Sequence, residues 1–149
     1  MGGPLFDCYV LAPRRTADAA MEFLDRFLPE REAQFDPSDP SDVLGVPEGA
    51  STRHIAEFLE VHPDVAYSMY WRHSEDGAPS TAILQYTADA HLILGLARCT
   101  EDDPACAKQV LAEMMATVAA QDGYAAVEEA PALSRKDFLR RVATRGGTV

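Results

Sequence analysis

The stretch from residue 65 to 98 constrains the fold of this chain more than any other. VAYSMYWRH (65–73), STAILQYT (80–87) and HLILGLAR (91–98) are three strand-like runs, separated by only a few residues that include Asp76-Gly77, Pro79 and Ala88-Asp89-Ala90. A parallel crossover needs about a dozen residues or more, so connections this short force antiparallel neighbours. A three-stranded meander is the expectation. In the first run Val65, Tyr67, Met69 and Trp71 share one face and Ser68, Tyr70 and Arg72 the other. The second and third runs are apolar on successive positions, as strands covered on both faces are.

Flanking signals complete an α+β domain. LFDCYVL (5–11), stopped by Pro13, reads as a mostly buried strand. Thr16 caps a helix with Ala17, Met21, Leu24 and Leu28 on one stripe, and Pro29 ends its regular part, with 30–33 as an extension past a kink. Residues 34–50 hold three prolines and no periodicity, a loop of the length that serves as a lid or partner-binding arm. Ser51 opens a short helix to Val61. Asp103, with Pro104 at the first position, opens a long one bearing Val110, Leu111, Met114, Met115 and Val118. Residues 124–128 read as a last strand, and Ser134 with Asp137 approximates a capping box for a helix carrying Phe138, Leu139 and Val142. The expected architecture is one domain over 1–149, an antiparallel sheet of about five strands with helices mainly on one face, ferredoxin-like in spirit.

Charge narrows the partners. The 149 residues carry a net charge of −11. Residues 1–133 hold 8 basic and 23 acidic side chains, whereas the C-terminal helix and tail, 134–149, hold 5 and 1. An acidic body repels phosphate backbones, so nucleic acid is an unfavourable partner and a basic protein a favourable one. Plain solubility accounts for the same imbalance. No run of about 18 apolar residues encodes a membrane span. Residues 1–6 show neither a myristoylation nor a leader pattern, and the cytoplasm is the default compartment.

Catalytic and metal signals are weak. Cys8, Cys99 and Cys106 are odd in number without CxxC spacing, so no disulfide framework is expected. Cys106 falls near the third position of its helix, where a thiolate is stabilised, but Glu101, Asp102 and Asp103 surround that end, and a small packed residue is the better reading. His54, Glu57 and His62 lack the HExxH spacing of a zinc helix. Asp36, Asp39 and Asp42 lack the alternate oxygens, glycine and glutamate of a calcium loop. No cofactor or phosphate-binding motif occurs, so no catalytic residue, metal or cofactor is assigned.

Ring side chains concentrate on the first two meander strands, with Tyr67 and Trp71 expected in the core and Tyr70 and His73 exposed. Aromatic anchors with an acidic rim suit a protein interface. The candidate partner-binding set is therefore Tyr70, Arg72, His73, Glu75, Asp76 and Asp89, with the acidic positions Asp36, Asp39, Asp42, Glu101 and Asp102.

YSMYW (67–71), the Asp76-Gly77 turn, ILQY (83–86), HLILGLA (91–97), Gly123-Tyr124 and Glu128-Glu129-Ala130-Pro131 together resemble small bacterial immunity proteins, the cognate inhibitors of polymorphic or contact-dependent toxins. The resemblance implies a cytoplasmic, non-enzymatic protein that blocks a toxin, and it transfers no functional residue. Two other readings stand beside it. One is a small enzyme or ligand-binding domain with a pocket between the sheet and the 34–50 loop and Asp7, His73 and His91 as its candidate titratable groups. The other is a homodimeric adaptor or structural module that pairs an open sheet face or edge with its copy.

Overall fold

The computed structural model describes residues 4–73 and 80–145. In chain order the elements are β1 (Leu5–Leu11), α1 (Ala17–Phe27), β2 (Arg31–Ala33), α2 (Asp39–Leu44), α3 (Thr52–Val61), β3 (Tyr67–His73), β4 (Thr81–Tyr86), β5 (Leu92–Thr100), α4 (Pro104–Val118), β6 (Gly123–Val127) and α5 (Arg135–Arg145). The six strands form one sheet in the order β2-β3-β4-β5-β1-β6, every pair antiparallel. The expected meander is present, with β4 and β5 interior and β1 beside them.

Local chemistry sets the helix starts. The Thr16 side chain accepts from Ala19 N, Ser51 from His54 N and Asp103 from Cys106 N, so each cap satisfies a donor with no partner inside its helix. Pro104 loses nothing at the first position of α4. Helices α1, α3 and α4 cover one face of the sheet and build the main core, where Phe23, Leu24, Met69, Leu84 and Met114 are fully buried. Each such side chain contributes about 1.5–3 kcal/mol by leaving water.

Three expectations change. The sheet has six strands, because residues 31–33 leave the helix and pair with Trp71–His73. Segment 34–50 is not wholly irregular, since Asp39–Leu44 is a short helix ended by Gly45 in the left-handed conformation at φ 78°. Cys99 and Cys106 form a disulfide with a Cα–Cα distance of 5.8 Å, joining the end of β5 to the first turn of α4. The three-residue turn and Asp103 cap bring that strand end under the helix start, which spacing alone does not reveal. Cys8 stays a buried free thiol, and burial pushes its pKa up to about 12.

A buried cation stitches the layers. Arg15, between β1 and α1, is 8% exposed and donates to five backbone carbonyls: Leu59 (2.8 Å), His62 (3.1 Å), Val65 (2.6 Å), Thr87 (2.6 Å) and His91 (3.1 Å). The first two lie at the C-terminal end of α3, where carbonyls lack helical partners and the dipole favours a cation.

Candidate binding surface

The second face of the sheet is only partly covered. Across the strands, register aligns Tyr70, Ile83, Gly95, Tyr9 and Tyr124 in one row and Arg72, Thr81, Ala97, Asp7 and Ala126 in the next. Helix α5 closes the β6 end. Phe138 packs on Tyr124 at 5.2 Å between ring centroids, and Tyr124 on Tyr9 at 5.6 Å, in a smaller core with Leu11, Ile83 and Ile93. Arg141 locks the helix in place through Tyr124 Oη (3.2 Å), Glu129 (3.1 Å) and Ala130 O (2.7 Å), is itself braced within the helix by Asp137 (3.0 Å), and Arg145 pairs with Glu129.

Beyond α5 the cover stops, leaving a cavity of about 280 Å³. Ile83, Gly95 and Ala97 form its floor, Tyr9 and Tyr70 stand as walls, and Asp7 with the 128–131 segment closes one side. Gly95 is required there: a Cβ would sit 2.5 Å from Ile83 Cγ2 and 2.6 Å from Tyr9 Cε1. The hydroxyl of Tyr9 donates to Glu129 O, and the Asp7 carboxylate accepts from Glu129 N at 2.8 Å, so β1 itself pins the turn. Burial, with the nearby charges of Glu128 and Glu129, raises the Asp7 pKa to about 6 against the lowering effect of that N–H.

The candidate residues divide. Tyr70 is 40% exposed and lines the cavity. Arg72 lies on the same face, paired with Glu32 at 3.5 Å, and His73 is half-buried at the end of β3. Glu75 and Asp76 lie outside the described residues. The other acidic positions are scattered and serve local structure. Asp36 accepts from Ser38 N and Oγ, which holds its carboxyl below the usual range, and Asp39 accepts from the Tyr67 hydroxyl. Asp42 sits exposed in the first turn of α2, Glu101 and Asp102 occupy the β5–α4 turn, and Asp102 accepts from Thr100. Asp89 accepts from Arg135 N at 2.8 Å and so anchors the start of α5; burial pushes its carboxyl up, but Thr87, that N–H and His91 hold it below the usual range.

Asp7, His73 and His91 are not brought together. His91 precedes β5 at the end opposite Ala97, the partner of Asp7, and its Nδ1 lies 2.8 Å from Asp89 O. His54 and Glu57 remain on the exposed face of α3. Among the described residues no group of three or more His, Cys, Asp or Glu is placed to hold a metal, and no helix is long and apolar enough to cross a membrane. The chain matches no protein-family model, no curated protein and no solved structure.

Strand parity places Tyr70 on an exposed face, as found, whereas Asp7 is named only as a titratable candidate whose neighbours the sequence leaves open. Asp7 is the only charge in LFDCYVL, which was the available signal. Glu128 and Glu129 figure only within a resemblance and not as site residues, because they enter the site through a turn in which Glu128 takes φ 48°.

Proposed function

We propose that this chain is a non-enzymatic, acidic binding protein of the immunity type, which neutralises a basic toxin domain by covering its working surface. The observation that carries the reading is the half-covered second face, where an exposed tyrosine stands beside an apolar hollow rimmed by carboxylates. An interface of this composition combines an aromatic anchor with a field that draws in a cationic partner and repels nucleic acid. The net charge of −11 supports the same choice of partner.

The test is co-expression with the toxin domain encoded beside this gene. The expected result is restored growth and a complex whose association rate falls as salt rises. Unrestored growth, or a neighbouring product that is neither toxic nor basic, overturns the reading.

A further inference from the structure

The cavity on the second face has polarity along its length. Its floor, Ile83, Gly95 and Ala97, is apolar, while Asp7, Glu128 and Glu129 stand at one side. No Lys, Arg or His lines it among the described residues, and Arg141 and Arg145 are engaged with Glu129 behind it. An apolar channel ending at the Asp7 and Glu128 carboxylates, neither of which has an ion-pair partner among the described residues, matches a side chain with a long aliphatic stem and a cationic head.

The placement of Asp7 adds a second argument. Its structural task is to accept one N–H from Glu129, which the oxygen of an asparagine performs without charge. A carboxylate there is held in a partly desolvated site beside two other acids, so its charge opposes folding. Groups that oppose folding cluster where the charge is used on a ligand. Tyr70, at the mouth, offers a ring face to the same cation.

We propose that this cavity is a socket for one basic side chain of the partner protein, arginine or lysine, its stem lying across Gly95 and Ala97 and its charged head meeting the Asp7 carboxylate. The socket rests on the reading of the chain as a binder of a basic protein, and it names where that protein inserts its anchor.

The first arm of the test needs no partner. The full chain is titrated with N-acetyl-arginine amide and N-acetyl-lysine amide, with the norleucine and citrulline analogues as uncharged controls, and backbone amides are followed by NMR. The basic probes are expected to produce saturable shifts at residues 7–9, 81–83, 95–97 and 128–130, with the controls at least about tenfold weaker. Lowering the pH from 7.5 to 5 weakens the basic probes by about tenfold as Asp7 takes up its proton. Asp7→Asn, which keeps the bond to Glu129 N, abolishes the preference for charge, and Tyr70→Ala weakens binding without moving its location. Equal binding of norleucine, shifts spread over the acidic surface, or an unchanged Asp7→Asn protein overturns the socket. If Asp7→Asn still captures and neutralises the toxin with full affinity, the socket fails while the immunity function stands. If the probes bind as expected and no toxin is neutralised, the socket stands and the function fails.

Discussion

The guanidinium of Arg15 lies over the ring of Tyr86, 5.0 Å from its centroid, with both side chains buried. The ring supplies a π face for this cation, while five carbonyls take up its donors. Among the described residues no carboxylate accepts a hydrogen bond from it, and Asp64 and Asp89 favour its charge from a distance. Removing the cation takes a donor from all five carbonyls, of which His62 O, Thr87 O and His91 O keep a backbone N–H partner. Arg15→Ala is expected to lower unfolding stability by about 3 kcal/mol or more in urea titration, and Arg15→Lys to recover only part, since an ammonium cannot fork to five acceptors. A loss below about 1 kcal/mol contradicts the stitching role.

The Tyr86 hydroxyl is buried and has no hydrogen-bond partner among the described residues. Tyr86→Phe removes that unpaired group and keeps the ring over which Arg15 sits. Stability is expected to hold or rise by up to about 1 kcal/mol. A loss larger than that in the same urea titration shows that the hydroxyl has a partner.

Asp7 makes stability depend on pH in an unusual direction. Its pKa is about 6 in the folded chain against 3.8 for an ordinary aspartate, so between these the folded chain holds the extra proton. Stability from this group therefore falls as pH rises through that window, and the deficit is complete above it. After solvent screening the effect is of order 1 kcal/mol. Asp7→Asn is expected to be more stable than the parent at pH 7.5 and equal to it near pH 4, read as the difference between two denaturation series. A constant difference across that range removes the claim.

The cysteines give a chemical count. Thiol titration of the denatured, unreduced chain is expected to find one thiol, from Cys8, and all three after reduction. Replacing Cys99 and Cys106 together by alanine frees a short loop in the unfolded chain and is expected to cost about 2 kcal/mol. Three thiols before reduction rule the bridge out.

Gly95 holds the socket open. With Ile83 and Tyr9 within 2.6 Å of an added Cβ, Gly95→Ala must push a ring or a methyl aside in the sheet interior. The expected cost is about 1–3 kcal/mol, with a shifted Tyr9 ring in the NMR spectrum. Unchanged stability and an unmoved ring show that the floor has slack.

Elements whose side chains carry their own burial pattern were legible in the sequence. β3 alternates Tyr67, Met69 and Trp71 inward, and the three capped helices announce their starts. β2 was not legible, because its residues, Arg31 to Ala33, are held by backbone pairing at a sheet edge and need no apolar alternation. In α1 the buried face includes Phe23 while Met21 is only half-buried. Arg15 was illegible for a deeper reason. Its partners are main-chain carbonyls 44 to 76 residues away, and a carbonyl leaves no mark on a sequence. The candidate site was half legible: Tyr70 stood out by strand parity, but the turn that completes the cavity joins it only through the pairing of β1 with β6.

That pairing also orders events during synthesis. β1 leaves the ribosome first, yet its neighbours are β5 and β6, so its ladders wait for residues 92–100 and 123–127. The β3-β4-β5 hairpins close over short distances and have no such wait. Until β1 docks, β5 offers a bare apolar edge, the kind of surface on which nascent chains cross-pair or recruit a chaperone.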